Sequence, residues 1–166
     1  MKSISLFSSG GIADLAIKRL GIEVLVANEI IEKRAQLYMH NFPETEMIIG
    51  DIWKLQEKII TKTINHLNGE KLDLVFATPP CQGMSKNGRG KLLRGIREGK
   101  KPKLDERNQL IIPTMHIIKS LKPKLVFFEN VPQMLDTLIL DENEQPINII
   151  NYIERELGGE YIGKPE

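Results

Sequence analysis

The feature that most limits what this chain can fold into is an alternation of two periodicities. Short, nearly continuous apolar runs, Glu23 to Ala27 (EVLVA), Leu72 to Ala77 (LDLVFA) and Lys124 to Phe128 (KLVFF), are separated by longer segments whose apolar residues recur at helical spacing. A strand that is apolar on both sides has to be covered on both sides, which is the condition of a parallel sheet between helices. Crossovers between parallel strands are right-handed, so the expected fold class is α/β: a Rossmann-like, mainly parallel sheet with helices on both faces.

The remaining elements fit this frame. Ile4 to Phe7 is expected as the first strand, followed by a helix presenting Ile12, Leu15, Ala16 and Leu20 on one face and ended by Gly21. Glu32 to His40 and residues 53–67 are expected as helices, with a short strand, Met47 to Ile49, between them. Asp105 can cap a helix running to about Leu121, kinked or reset by Pro113, whose ring nitrogen carries no hydrogen. Leu138 to Ile147 reads as a hairpin around Asp-Glu-Asn, and Asn148 to Leu157 as a last helix.

Composition narrows the setting. The chain has 166 residues, one cysteine and a net charge of +1 from 23 basic and 22 acidic side chains. A lone cysteine forms no disulfide within the chain, no segment has the apolar length of a membrane span, and no signal peptide opens it, so a cytoplasmic protein without a membrane partner is expected. The charge is unevenly placed: Lys86, Arg89, Lys91, Arg94, Arg97, Lys100, Lys101 and Lys103 fall in a stretch where Glu98 is the one acid. Such a stretch suits phosphates, or is a solvated loop.

In sheets of this class ligands bind beyond the carboxyl ends of the strands. The unusual residues all fall there: Ser8-Ser9-Gly10-Gly11 after the first strand, Asn28-Glu29 after the second, Gly50-Asp51 after the third, Thr78-Pro79-Pro80-Cys81 after the fourth and Glu129-Asn130 after the fifth. The glycine turn lets backbone approach a ligand, or is a plain tight turn. A carboxylate ending the second strand can take both hydroxyls of a ribose, and Asp51 either joins it or caps the next helix. Together they outline a nucleoside-sized pocket without the G-x-G-x-x-G of dinucleotide sites. Pro79-Pro80 makes a stiff extended lead that holds Cys81 at the rim, where a thiol can act as a nucleophile if positive charge stands near it. Glu129, ending an apolar strand, is expected to be desolvated and to keep a proton near neutral pH, with Asn130 holding its carboxyl.

Pro79-Pro80-Cys81-Gln82, then Glu129-Asn130-Val131, preceded by Leu6-Phe7-Ser8-Ser9-Gly10-Gly11, resembles the S-adenosylmethionine-dependent cytosine-C5 methyltransferases from residue 3 to about residue 132. The resemblance implies S-adenosylmethionine as cofactor and double-stranded DNA as partner. It implies that Phe7, Gly11, Glu29, Asp51, Ile52, Pro79 and Leu110 (the last within Arg107-Asn108-Gln109-Leu110) border the cofactor, Glu29 at its ribose and Asp51 and Ile52 at its adenine. Cys81 would attack the cytosine ring and Glu129 would serve N3, with Gln82 and Asn130 beside them. Ser85, Lys86, Arg89, Lys91, Arg94 and Arg97 would lie in a mobile, DNA-contacting loop. Ser9 and Ile12 stand where the family more often has glycine, and Met84 where it has phenylalanine. The family's later arginine motif, target-recognition region and C-terminal helix have no counterpart, so residues 1–166 are expected to be a partial catalytic domain, as a fragment, a truncated gene or one half of an enzyme completed by a second polypeptide. A tRNA cytosine methyltransferase and a non-catalytic cofactor-binding remnant are the alternatives.

Overall fold

A computed structural model describes residues 1–81 and 105–159. They fall into two compact units: Met1–Pro79 with Pro113–Glu129, and Pro80–Ile112 with Asn130–Glu166.

The first unit is built on a five-stranded parallel sheet of β1 (Lys2–Leu6), β2 (Glu23–Glu29), β3 (Glu46–Ile49), β4 (Leu74–Ala77) and β5 (Leu125–Phe128), in the order β3-β2-β1-β4-β5. The helices are α1 (Ile12–Arg19), α2 (Glu32–Asn41), α3 (Ile52–Leu67) and α4 (Ile111–Leu121), the last shared at its first two residues with the second unit. From β1 the chain steps outward through β2 to β3, then returns past β1 to β4 and β5. Right-handed crossovers therefore assign α1 and α2 to one face and α3 and α4 to the other. Strand order reverses between β1 and β4, the crevice where such sheets take ligands.

Burial follows neighbours. Every residue of β4, Leu-Val-Phe-Ala, is buried, between β1 and β5. α1 corrects the sequence reading: its inward positions are Asp14 and Ile17, and Ile17 packs with Val24, Leu74 and Phe76. Ile12, Leu15 and Leu20 are instead 83%, 47% and 76% exposed, and Ala16 is exposed too. The glycine turn sets the rotational phase of the helix, and Ser5 of β1 donates to Asp14 at 2.9 Å, drawing the acid inward. β5 also departs from expectation, since Leu125 and Phe127 are each 54% exposed although Phe127 stacks on Phe76 with ring centroids 5.5 Å apart.

In the second unit a 3-10 turn, Glu106–Leu110, is capped by Asp105 and leads into α4. The break falls before Pro113, not at it, because Pro113 sits in the first turn of α4, where a missing amide hydrogen has no helical acceptor to lose. The expected hairpin is present as β6 (Leu138–Leu140) paired antiparallel with β7 (Pro146–Asn148), and α5 (Ile149–Leu157) follows with the Asn148 side chain accepting from the amides of Ile150 and Asn151. Among the described residues no helix is long and apolar enough to cross a membrane.

Candidate active site

Backbone hydrogen bonds carry the ladder past the last paired residues and align the strand ends of the first unit. The Ser8 amide donates to Asn28 O at 3.0 Å, the Gly50 amide to Glu29 O at 2.9 Å, the Thr78 amide to Leu6 O at 3.2 Å and the Glu129 amide to Ala77 O at 3.0 Å. The Thr78 hydroxyl donates to Phe7 O at 3.0 Å, tying the loops on either side of the reversal point. Phe7, Glu29, Gly50, Thr78 and Glu129 thus leave the sheet at one edge.

The turn after β1 is conformationally unusual. Phe7, Ser9 and Gly11 all have positive φ, at 61°, 51° and 85°. For Phe and Ser this region is sparsely populated and persists only where the surroundings enforce it. Gly11 is obligatory on two counts, its positive φ and its neighbours: a Cβ there would lie 2.3 Å from Phe42 Cε2 and 3.0 Å from Tyr38 Cδ2. Its close approach is therefore to its own core as well as toward any ligand. Behind the turn, the buried Asp14 carboxyl is pushed up to about 6 by desolvation, against the lowering effect of the Ser5 bond. Burial first, and the Asp14 charge second, push the Tyr38 hydroxyl well above its ordinary range.

Glu29 is 4% exposed and its carboxylate is already oriented: one oxygen accepts from the Ser9 amide at 2.9 Å, the other from the Ile31 amide at 2.8 Å. A carboxylate has about four acceptor sites, so each oxygen keeps capacity for a hydroxyl. Asp51 shows the capping chemistry, accepting from the Trp53 amide at 3.0 Å as N-cap of α3. Ile52 is buried at 3% exposure, and Pro79 is buried. This set suits a nucleoside with ribose hydroxyls.

Cys81 is exposed and belongs to the second unit. Arg107 lies in the same unit. Asp105 holds that guanidinium through two side-chain hydrogen bonds, which raise its pKa above the ordinary range. Arg107 enters the sequence reading only within a motif, since its tie to Asp105 depends on the 3-10 turn. Glu129, in the first unit, is exposed. The desolvation expected of it is absent, since β5 is open to solvent at alternate positions. Asn130 Oδ1 accepts from the Val131 amide at 2.8 Å. Leu110 is half-buried in the second unit. Gln82, Ser85, Lys86, Arg89, Lys91, Arg94 and Arg97 lie outside the described residues.

Comparison with known proteins bears on this arrangement. A profile of the C-5 cytosine-specific DNA methylase family matches residues 1–160. The chain is 40% identical over 159 residues to the Type II methyltransferase M1.HgaI of Avibacterium volantium, an alignment covering 95% of this chain and 42% of that protein. It is 37% identical over 135 residues to M.NgoPII of Neisseria gonorrhoeae, covering 81% and 34%. A prophage-encoded protein of E. coli, described as a DNA modification methyltransferase, superposes with a TM-score of 0.67 at 26% identity over 96% of this chain and 38% of that one. The chain thus spans about two fifths of the length of such relatives.

Proposed function

Because the chain belongs to the C-5 cytosine-specific DNA methylase family, we propose that it carries the cofactor-binding and nucleophile-bearing part of an enzyme that methylates C5 of cytosine in DNA. The observation that carries this reading is the gathering of the strained Phe7–Gly11 turn, the two-point-held Glu29 carboxylate and Asp51 at the carboxyl edge of one sheet, with Cys81 directly after the Pro79-Pro80 lead from β4.

S-adenosylmethionine fits the residues present. Glu29 would take the ribose hydroxyls, Asp51 and Ile52 would stand toward the adenine, and Phe7, Gly11, Pro79 and Leu110 would complete the walls. When bound, the cofactor supplies a sulfonium methyl, an electrophile that an unactivated cytosine C5 is too weak to attack.

The chain's own residues would supply the activation. Cys81, as thiolate, would add to C6 of the ring, forming an S–C6 bond as the C5–C6 π bond opens, while Glu129, as the carboxylic acid, would give its proton to N3. After methylation a solvent water would take the C5 proton, the C5–C6 double bond would re-form, Cys81 would leave as thiolate, and N3 would return its proton to the Glu129 carboxylate. Gln82 and Asn130 would position these groups. A base within a duplex is out of reach, so the cytosine has to rotate out of the stack, and Ser85, Lys86, Arg89, Lys91, Arg94 and Arg97 would contact the phosphates around it.

We read the target-recognition region and closing helix as supplied by a further polypeptide segment, in this chain's continuation or a second chain. Among the described residues the half-exposed Leu125 and Phe127 of β5 support this, because parallel sheets of this class are covered on both faces. The purified 166 residues alone should then transfer methyl groups weakly or not at all. Calorimetry with S-adenosylhomocysteine and a labelled-methyl assay on duplex DNA, with tRNA as a parallel substrate, test both parts. Absence of nucleoside binding would sink the cofactor assignment, and brisk site-specific methylation by the isolated chain would sink its incompleteness.

A further inference from the structure

The Glu29 carboxylate faces inward more than a group used solely for ligand would. It is 4% exposed before any ligand is bound, and both oxygens accept backbone amides from opposite sides: Ser9 within the turn after β1, at 2.9 Å, and Ile31 beyond the end of β2, at 2.8 Å. Its own backbone is fixed as well, its carbonyl accepting from the Gly50 amide at 2.9 Å.

Ser9 is one of the two non-glycine residues of the turn with positive φ, and it lies between the other two positive-φ positions, Phe7 and Gly11. Two further bonds shape this turn: Ser8 donates its amide to Asn28 O, and the Gly11 amide closes onto Ser8 O, each at 3.0 Å. The second holds the carbonyl side of the Ser8–Ser9 peptide, and Glu29 takes the N–H on its other side. A backbone of alternating hand turns amides into a concavity that receives an anion, and here an anionic side chain of the protein meets the Ser9 amide.

We infer that Glu29 is a positioning residue for the Phe7–Gly11 turn in addition to its proposed ribose contact. Its carboxylate locks the strained backbone that would meet the rest of the cofactor, so the ribose contact and the turn behave as one unit. This rests on the cofactor reading above only for its consequence in binding; the anchor itself is a property of the ligand-free chain.

Two measurements on the 166-residue chain decide it. In ligand-free protein, the Ser9 amide should exchange its hydrogen about tenfold or more faster in Glu29→Ala than in wild type, with the β4 amides unchanged as a check on global folding. Glu29→Gln keeps one acceptor and should fall between the two; it replaces the alanine variant should that one lose β4 protection. In calorimetry, Glu29→Ala should lose affinity for S-adenosylhomocysteine, and should also lose about fivefold or more for its 2′,3′-dideoxy analogue, which has no ribose hydroxyls to miss. Unchanged Ser9 exchange would overturn the anchor. Equal affinity of wild type and variant for the dideoxy analogue would overturn its transmission to the cofactor. Failure of wild type to bind S-adenosylhomocysteine would instead reject the cofactor reading, and the exchange rates would still judge the anchor.

Discussion

β4 and β5 lie side by side, run parallel and have nearly the same sequence, Leu-Val-Phe-Ala and Leu-Val-Phe-Phe, paired residue for residue. β4 is buried throughout, whereas Leu125 and Phe127 of β5 are each 54% exposed. Around the glycine turn, Gly11, Tyr38 and Phe42 are packed to contact, while the outer stripe of α1 stands in solvent. A sequence encodes how apolar a strand is, but a strand is buried only if something covers it. The sealed region here holds the candidate cofactor site, and the open region leaves core-like apolar side chains half in water among the described residues.

The largest effect is expected where the sealed region is tightest. Gly11→Ala has to adopt a positive φ and place its Cβ against Phe42, so it should lower stability by about 2–5 kcal/mol, combining the left-handed penalty with overpacking, as read by urea denaturation. The paired substitutions Leu74→Ala and Leu125→Ala compare the strands directly. The first empties a 9%-exposed position and should cost about 2–4 kcal/mol, while the second, half in water already, should cost under about 1 kcal/mol in this chain. Equal costs would abolish the distinction between the regions. If a covering segment is supplied, the Leu125 cost should rise toward the Leu74 value.

A smaller, pH-dependent effect sharpens the contrast from within. Burial raises the Asp14 carboxyl from 3.8 to about 6, so the native state holds this proton more tightly than the unfolded chain does. Its contribution to stability is fully present below about pH 4, is lost as pH rises through about 6, and leaves an ionised buried carboxylate above that. Asp14→Asn, which still accepts from Ser5, should be near neutral at pH 4 and stabilising at pH 8 by about 1–2 kcal/mol, within the ceiling of about 3 that a two-unit shift allows. Thermal melts of both proteins across pH 4–8 would show it as a widening gap in Tm.

Much of the fold was legible in the sequence because parallel strands flanked by helices leave two distinct periodicities, and each of the five strands of the sheet was found within a residue or two. The phase of α1 was not legible. Periodicity locates an apolar stripe, Ile12, Leu15, Ala16 and Leu20, but says nothing about whether the sheet or solvent meets it, and the inward pull on Asp14 comes from Ser5 on another element. For the same reason the exposure of Glu129 was unreadable: its apolar lead-in is real, but among the described residues β5 is open to solvent at alternate positions, Glu129 included. At the site, residue types and their order at the strand ends were readable. The double tie on Glu29 was not, because its partners are backbone amides, which every residue but proline carries.

The central claim is that Cys81 is the nucleophile toward a cytosine ring. Peptide mapping by mass spectrometry, after long incubation of the chain with S-adenosylmethionine and duplex DNA containing 5-fluorocytosine, tests it most directly, since fluorine at C5 blocks the final elimination and lets even slow reaction accumulate. A covalent nucleotide on the peptide carrying Cys81, absent from Cys81→Ser, is the predicted result. A stable adduct on any other residue, or none in the presence of the complementing segment, would contradict it.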